Sequence, residues 1–237
     1  MITPRQLKEL MQRGENIMAY LRRQQDATAN SEAMIETAYD LQSGSYITAM
    51  SRPEYASKKA AYTAEIVRII KTLCLPDSIL EPGVGEAITL SGVIQNLQHP
   101  DLKSFGFDVS WSRVLLARQW LADQGIVDST LNTGSLFALP YSSDSIDVVY
   151  TSHSMEPNGG HEEPILRELF RVTRRYLLLI EPAYELAPED SRKRMEANGY
   201  CQDLPGVAQR LGYKVLDHRL FTHTHNPHNP TALTIIE

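Results

Sequence analysis

The segment that most limits what this chain can fold into is Ile79-Leu-Glu-Pro-Gly-Val-Gly-Glu-Ala-Ile88, an apolar strand that runs straight into a glycine turn and then into an apolar helical stretch. Gly83 and Gly85 permit backbone torsions and a close ligand approach that side chains forbid. Strand, tight turn and helix N-terminus in that order form a ligand cradle. Downstream, short apolar runs alternate with amphipathic stretches, which predicts a parallel sheet with helices on both faces. Strands are expected near 78–81, 104–108, 129–132, 146–151 and 176–181, with helices near 87–98, 111–124 and 162–172 between them. A further helical stretch near 191–211 leads to two strand candidates, 213–220 and 232–236, whose closeness suggests an antiparallel hairpin at the end of the sheet.

Ahead of this core, Leu7, Met11, Ile17 or Met18 and Leu21 recur at near-helical spacing, so one or two amphipathic helices are expected in the first thirty residues. Tyr39 to Tyr46 is too turn-rich for a long helix, and a helix should follow from about Glu54 to Leu73. Residues 1–60 therefore read as an N-terminal helical cap and residues 61–237 as the main domain.

Charge narrows the ligand. The net charge is −6, and nearly all of the imbalance falls in residues 61–160, with five basic and eleven acidic side chains. Phosphate-backbone binding rests on clustered Lys and Arg, so nucleic acid is not the expected partner. Cys74 and Cys201 stand too far apart for a CxxC metal or redox pair, which suits a reducing cytoplasm. The opening MITPRQLKEL lacks the apolar stretch of a signal peptide, and no run approaches the roughly 20 residues that span a bilayer. A soluble, cytoplasmic protein with no membrane partner is expected.

The glycine loop distinguishes two nucleotide-type ligands. A nicotinamide fingerprint, GxGxxG/A, counted from Gly83 needs a small residue where this chain has Ile88. The loop instead resembles the E/D-x-G-x-G-x-G of class I S-adenosylmethionine-dependent methyltransferases, with Glu81, Gly83, Gly85 and, in the last glycine's place, Ala87. Asp108, at the end of the next strand, fits the acid that accepts the ribose hydroxyls, its other reading being a helix cap before Trp111. Asn132-Thr-Gly-Ser-Leu-Phe-Ala-Leu-Pro-Tyr141 resembles the family's G-D-A-x-x-L-P-F run, with Ser135 where an Asp usually meets the adenine amine and Leu136 against the ring. The resemblance covers roughly residues 79–182. It implies a Rossmann-like, doubly wound α/β fold, S-adenosyl-L-methionine as cofactor and a small-molecule methyl acceptor. Tyr39 and Tyr46 would then belong to a lid over the cofactor, or pack as ordinary aromatics.

In open α/β sheets, ligands bind beyond the carboxyl ends of the strands. The loop after the fourth core strand, Thr151-Ser-His-Ser-Met-Glu-Pro-Asn-Gly-Gly-His161, is unusually polar for that place. A hydroxyl acceptor needs a base, and histidine titrates in the right range. His153 is the candidate, with Glu156 or His161 orienting it or the substrate; alternatively His153 packs at a strand end and His161 begins a helix. Glu181-Pro-Ala-Tyr184 is expected to line the acceptor pocket, and Arg174 and Arg175 to occupy the turn before the fifth strand. The His223, His225 and His228 loop is expected to be solvated or substrate-lining, with no metal. The function expected is methyl transfer to a small molecule, oxygen favoured. An NAD-dependent oxidoreductase and a non-catalytic cofactor-binding regulatory protein are the rivals, with self-association left open.

Overall fold

A computed structural model describes residues 2–223, 226 and 228–237. Its centre is a seven-stranded sheet in the order β3-β2-β1-β4-β5-β7-β6. The strands are β1 (Ser78–Pro82), β2 (Lys103–Asp108), β3 (Thr130–Thr133), β4 (Ile146–Ser152), β5 (Thr173–Pro182), β6 (Val215–Leu220) and β7 (Thr231–Ile236). The first five pair in parallel; β7 runs antiparallel to both β5 and β6, so the C-terminal hairpin inserts its second strand next to β5. This is the doubly wound sheet with a C-terminal antiparallel hairpin that the apolar alternation predicts.

Side chains on a strand point to opposite faces in turn, and both faces here are apolar. Ile79, Val148, Tyr150, Leu178 and Ile180 pack with α5 (Pro53–Leu73), α6 (Ile88–Leu97) and α7 (Trp111–Asp123). Their neighbours Leu80, Val149, Leu177 and Leu179 pack with α8 (Glu162–Val172) and residues of α10 (Leu204–Arg210) on the other side. After β3 the chain returns to lie beside β1, so the strand order reverses between β1 and β4 and opens a crevice at their carboxyl ends.

The first fifty residues form α1 (Pro4–Gln12), α2 (Ile17–Gln25) and α3 (Glu32–Leu41), which share a small core of Leu7, Ile17, Leu21, Met34 and Ala38, and α4 (Ser45–Met50), which lies against α5. Gly44, at φ 88°, separates α3 from α4 as the turn-rich sequence suggests. Residue 60 falls within α5, one continuous helix whose Tyr62, Ile66 and Ile70 are buried against the sheet. The single helix expected over 191–211 is two, α9 (Glu189–Asn198) and α10, because Gly199 takes φ 70° and closes the first. No turn precedes β5: α8 passes directly into it, and Arg174 is a strand residue paired with Asp147 at 2.7 Å. Among the described residues no helix is long and apolar enough to cross a membrane.

Candidate functional site

A cavity of about 350 Å³ lies between the carboxyl ends of β1, β2 and β4 and the cap. Its floor is the glycine loop. The amides of Gly83 and Val84 both donate to the Phe107 carbonyl, at 2.7 and 2.9 Å, which ties the loop to β2. Gly83 (φ 71°) must be glycine for a second reason: a Cβ there would lie 2.1 Å from that of Ser154, on the loop after β4. Ala87 adopts φ 58°, the left-handed conformation that the resembling family's third glycine would take without steric cost.

Asp108 closes one end of the floor. One carboxylate oxygen accepts from Gly85 N at 2.8 Å and the other from Ser110 N at 2.9 Å. Burial pushes its pKa up, against those two amides and the charge of Arg113. The helix cap of α7 is Ser110, whose Oγ accepts from Arg113 N at 3.2 Å; Asp108 instead braces the glycine loop and lines the cavity. Leu136 lines it too, whereas Ser135 does not. The Ser135 hydroxyl donates to Glu32 of α3, and it is Glu32 that reaches the cavity.

Glu81 lies beneath the loop, buried, and accepts from Tyr150 Oη at 2.9 Å. Lys59 of α5 faces the same space, its ammonium 4.5 Å from the Tyr62 ring centroid. Burial raises the Glu81 pKa and lowers that of Lys59, and each charge resists the shift of the other. Among the described residues no carboxylate lies within ion-pair distance of Lys59, which leaves it a cation turned toward the cavity.

The other end is the loop after β4. His153, at φ 56°, places its Nδ1 2.6 Å from Glu156 Oε2 and its Nε2 3.0 Å from Thr231 Oγ1. A carboxylate only accepts, so Nδ1 carries the proton and Nε2 is the basic atom. Burial opposes charge on the ring, but Glu156 outweighs it and holds the His153 pKa above its ordinary value. Burial likewise acts to raise Glu156, yet His153, Tyr200 and Asn229 hold it low. Glu181 supports the loop from below by accepting from the amides of Ser154, Met155 and Glu156 at 3.1–3.2 Å. Its pKa is pushed up to about 7 by burial.

The expected residues thus separate. Glu81, Gly83, Gly85, Asp108, Leu136, Tyr39, Tyr46, His153 and Glu156 meet in one cavity. His161 does not join them. It precedes α8 and turns its ring edge-on to Phe137, at 5.6 Å, because Gly159 and Gly160 carry the chain away from His153. Glu181 and Tyr184 are not on the wall either: Tyr184 bonds Glu196 at 2.5 Å, and Glu181 serves the β4 loop. His225 lies outside the described residues, among which no group of three His, Cys, Asp or Glu could hold a metal ion. Lys59, Glu32, Arg113, Asn229 and Thr231 line the cavity without any sequence motif announcing them.

No family model matches the chain, and no curated protein does. Solved structures match well in shape. An S-adenosylmethionine-dependent methyltransferase from Aquifex aeolicus superposes with a TM-score of 0.59 at 16% identity, covering 81% of this chain and 97% of its own. Geranyl diphosphate methyltransferase, solved in complex with S-adenosylmethionine, gives 0.59 at 9% identity over 75% of this chain and 84% of its own. The [4+2]-cyclase SpnF gives 0.56 at 14% identity over 73% and 80%. Identities this low speak to architecture alone, and on that architecture the sheet order, the glycine loop and the crevice above it agree: the chain has the fold of the class I S-adenosylmethionine-dependent methyltransferases.

Proposed function

We propose that the cavity binds S-adenosyl-L-methionine and that the protein is a methyltransferase acting on an oxygen of a small molecule. One observation carries the reading: a single cavity has Asp108, Glu81 and the cation Lys59 around its glycine-loop floor and a carboxylate-bound histidine on the loop after β4. The donor set fits the cofactor. Each Asp108 oxygen keeps a lone pair for a ribose hydroxyl, Lys59 suits the carboxylate of the amino-acid end, and Glu81 suits its ammonium. Glu32, held by Ser135, offers an acceptor to the adenine amine in place of the acid absent at 135. Nothing in this set calls for a phosphate.

When bound, the cofactor supplies a methyl carbon already activated by positive sulfur. The chain's own part is alignment and proton removal. An acceptor hydroxyl placed at His153 Nε2, where the Thr231 hydroxyl now sits, would give its proton to that nitrogen while the methyl group passed from sulfur to the oxygen, with S-adenosylhomocysteine as the leaving group. The imidazolium that results is stabilised by Glu156 at Nδ1. Tyr46, Tyr55 and Tyr62 line the same space.

Calorimetry with S-adenosylhomocysteine and NAD, followed by turnover on a panel of hydroxylated small molecules, tests the reading. Binding of S-adenosylhomocysteine without binding of NAD is expected, and binding of NAD alone overturns it. His153→Ala should keep cofactor affinity and lose about 10²–10⁴-fold in turnover; full turnover in that variant removes the base assignment.

A further inference from the structure

Arg113 stands on the first turn of α7, yet it is 4% exposed and lies on the cavity wall. Its Nε donates to the Tyr39 carbonyl at 3.3 Å. Its guanidinium carbon is 4.4 Å from the Tyr39 ring centroid and 5.1 Å from that of Tyr46, so two rings of the cap rest on one cation. Nη1 hangs over the glycine loop, 3.5 Å from where a Cβ on Gly85 would be. Nη2 is buried with no hydrogen-bond partner among the described residues. A guanidinium buried with N–H groups left unmade is costly, and an acceptor placed above the glycine loop, beside Nη1, reduces that cost.

The acceptor must also suit Asp108, whose free lone pairs want donors at the same end. A vicinal diol does both: each hydroxyl hydrogen goes to the carboxylate while an oxygen lone pair receives Nη1. The cap segment from Tyr39 to Ile47 is meanwhile tied to the same residues. Ser110 Oγ donates to Asp40 at 2.5 Å, and Glu86, next to Gly85, accepts from Gly44 N at 2.9 Å and Ile47 N at 2.7 Å.

Resting on the cofactor reading above, we propose that Arg113 binds the ribose edge of the nucleoside through Nη1 and, by the same guanidinium, clasps Tyr39 and Tyr46, so that nucleoside and lid bind cooperatively. Cofactor therefore orders the lid from the nucleoside end, and the amino-acid end is held separately by Lys59.

Two ligands separate the ends: S-adenosylhomocysteine, and 5′-methylthioadenosine, which lacks the amino-acid end. In calorimetry Arg113→Met should weaken both equally, by about tenfold or more, the size of one hydrogen bond to a charged group. Lys59→Met should weaken S-adenosylhomocysteine alone. Hydrogen exchange over residues 39–50 should slow when S-adenosylhomocysteine saturates the wild type, and this protection should be lost in saturated Arg113→Met. Wild-type affinity for both ligands, a loss confined to S-adenosylhomocysteine, or unchanged lid protection in Arg113→Met each overturns the proposal. Should that variant fail to fold, Arg113→Lys, which keeps the charge and loses the planar fork, is expected to show the same pattern in weaker form, and its wild-type behaviour would be equally fatal. A wild type that binds neither ligand instead defeats the cofactor reading itself, with no variant needed.

Discussion

The two walls of the cavity are made in opposite ways. On the sheet side, Glu81, the glycine loop and Asp108 occupy fewer than thirty consecutive positions, and backbone ladders and loop amides set their geometry. On the cap side, α3 and α4 are positioned by single side chains reaching far along the sequence: Asp40 to Ser110, Glu32 to Ser135, Glu86 to the amides of 44 and 47. A fourth tether lies behind them, where Arg22, 8% exposed, donates to the carbonyls of Ala197 and Asn198 at the end of α9 and to Asn30. A helix C-terminus welcomes a cation, so this buried arginine also caps α9. The contrast implies a rigid floor under a helical cap held by a few long-range side-chain contacts.

The largest test strikes the floor. Gly83→Ala combines a left-handed backbone, worth about 1–2 kcal/mol, with overpacking of about 1–3 kcal/mol against Ser154. A global stability loss of about 3 kcal/mol is expected in denaturant titration, with partial recovery on adding Ser154→Gly; an unchanged midpoint would contradict the close approach. Next, Arg22→Ala strands a buried Asn30 and two helix-end carbonyls, at about 2–3 kcal/mol. Here the loss should be local, with faster hydrogen exchange in residues 4–41 and the slowest sheet amides unaltered. Equal acceleration throughout would mean that cap and sheet unfold as one.

A pH series extends the comparison to the loop after β4. His153, with a raised pKa, adds stability that is complete below its unfolded value and disappears as pH rises through the folded one. Glu156, with a lowered pKa, adds stability present above its unfolded value and lost as pH falls through the folded one. The pair is therefore worth most between about pH 5 and 6, above the unfolded glutamate value and below that of histidine. There Glu156→Gln should cost about 1.5 kcal/mol more than it does at pH 9, as read from paired melts. In turnover the same variant should move the acidic limb of the rate profile to lower pH, because the base loses the charge that raised its pKa. The smallest effect belongs to the outer surface: Arg167→Ala breaks a pair with Glu163 in which both side chains are 58% exposed, and should change stability by no more than about 0.5 kcal/mol.

The sheet was readable because its signals are local. Alternating apolar residues mark β1, β4 and β5 wherever both faces are covered, and the strands begin and end within about three residues of the places expected from pattern. Asp108 was readable because a strand end followed by Ser110 puts its carboxylate within reach of Gly85. Arg113 was not. In Trp111-Ser-Arg-Val-Leu-Leu-Ala117 it sits beside the buried Val114 and Ala117 and reads as an ordinary exposed charge, until α3 arrives to cover it. Lys59 is hidden for the same reason, as one of two adjacent lysines on a helix whose partner, Lys58, merely pairs with Glu54. Proximity in sequence also misled at His161, eight positions after His153 but separated from it by a Gly-Gly turn.

By itself, then, the sequence determined the order of strands and helices, the glycine floor and the acid at its edge, because periodicity, turn chemistry and caps act over a few residues. Only the tertiary structure decided which cations line the cavity, which carboxylate comes from the cap, and which of two histidines reaches the site. Those contacts join positions about 70 to 175 residues apart, and they form only after the sheet and the cap have each buried their own apolar faces and brought the polar side chains within reach.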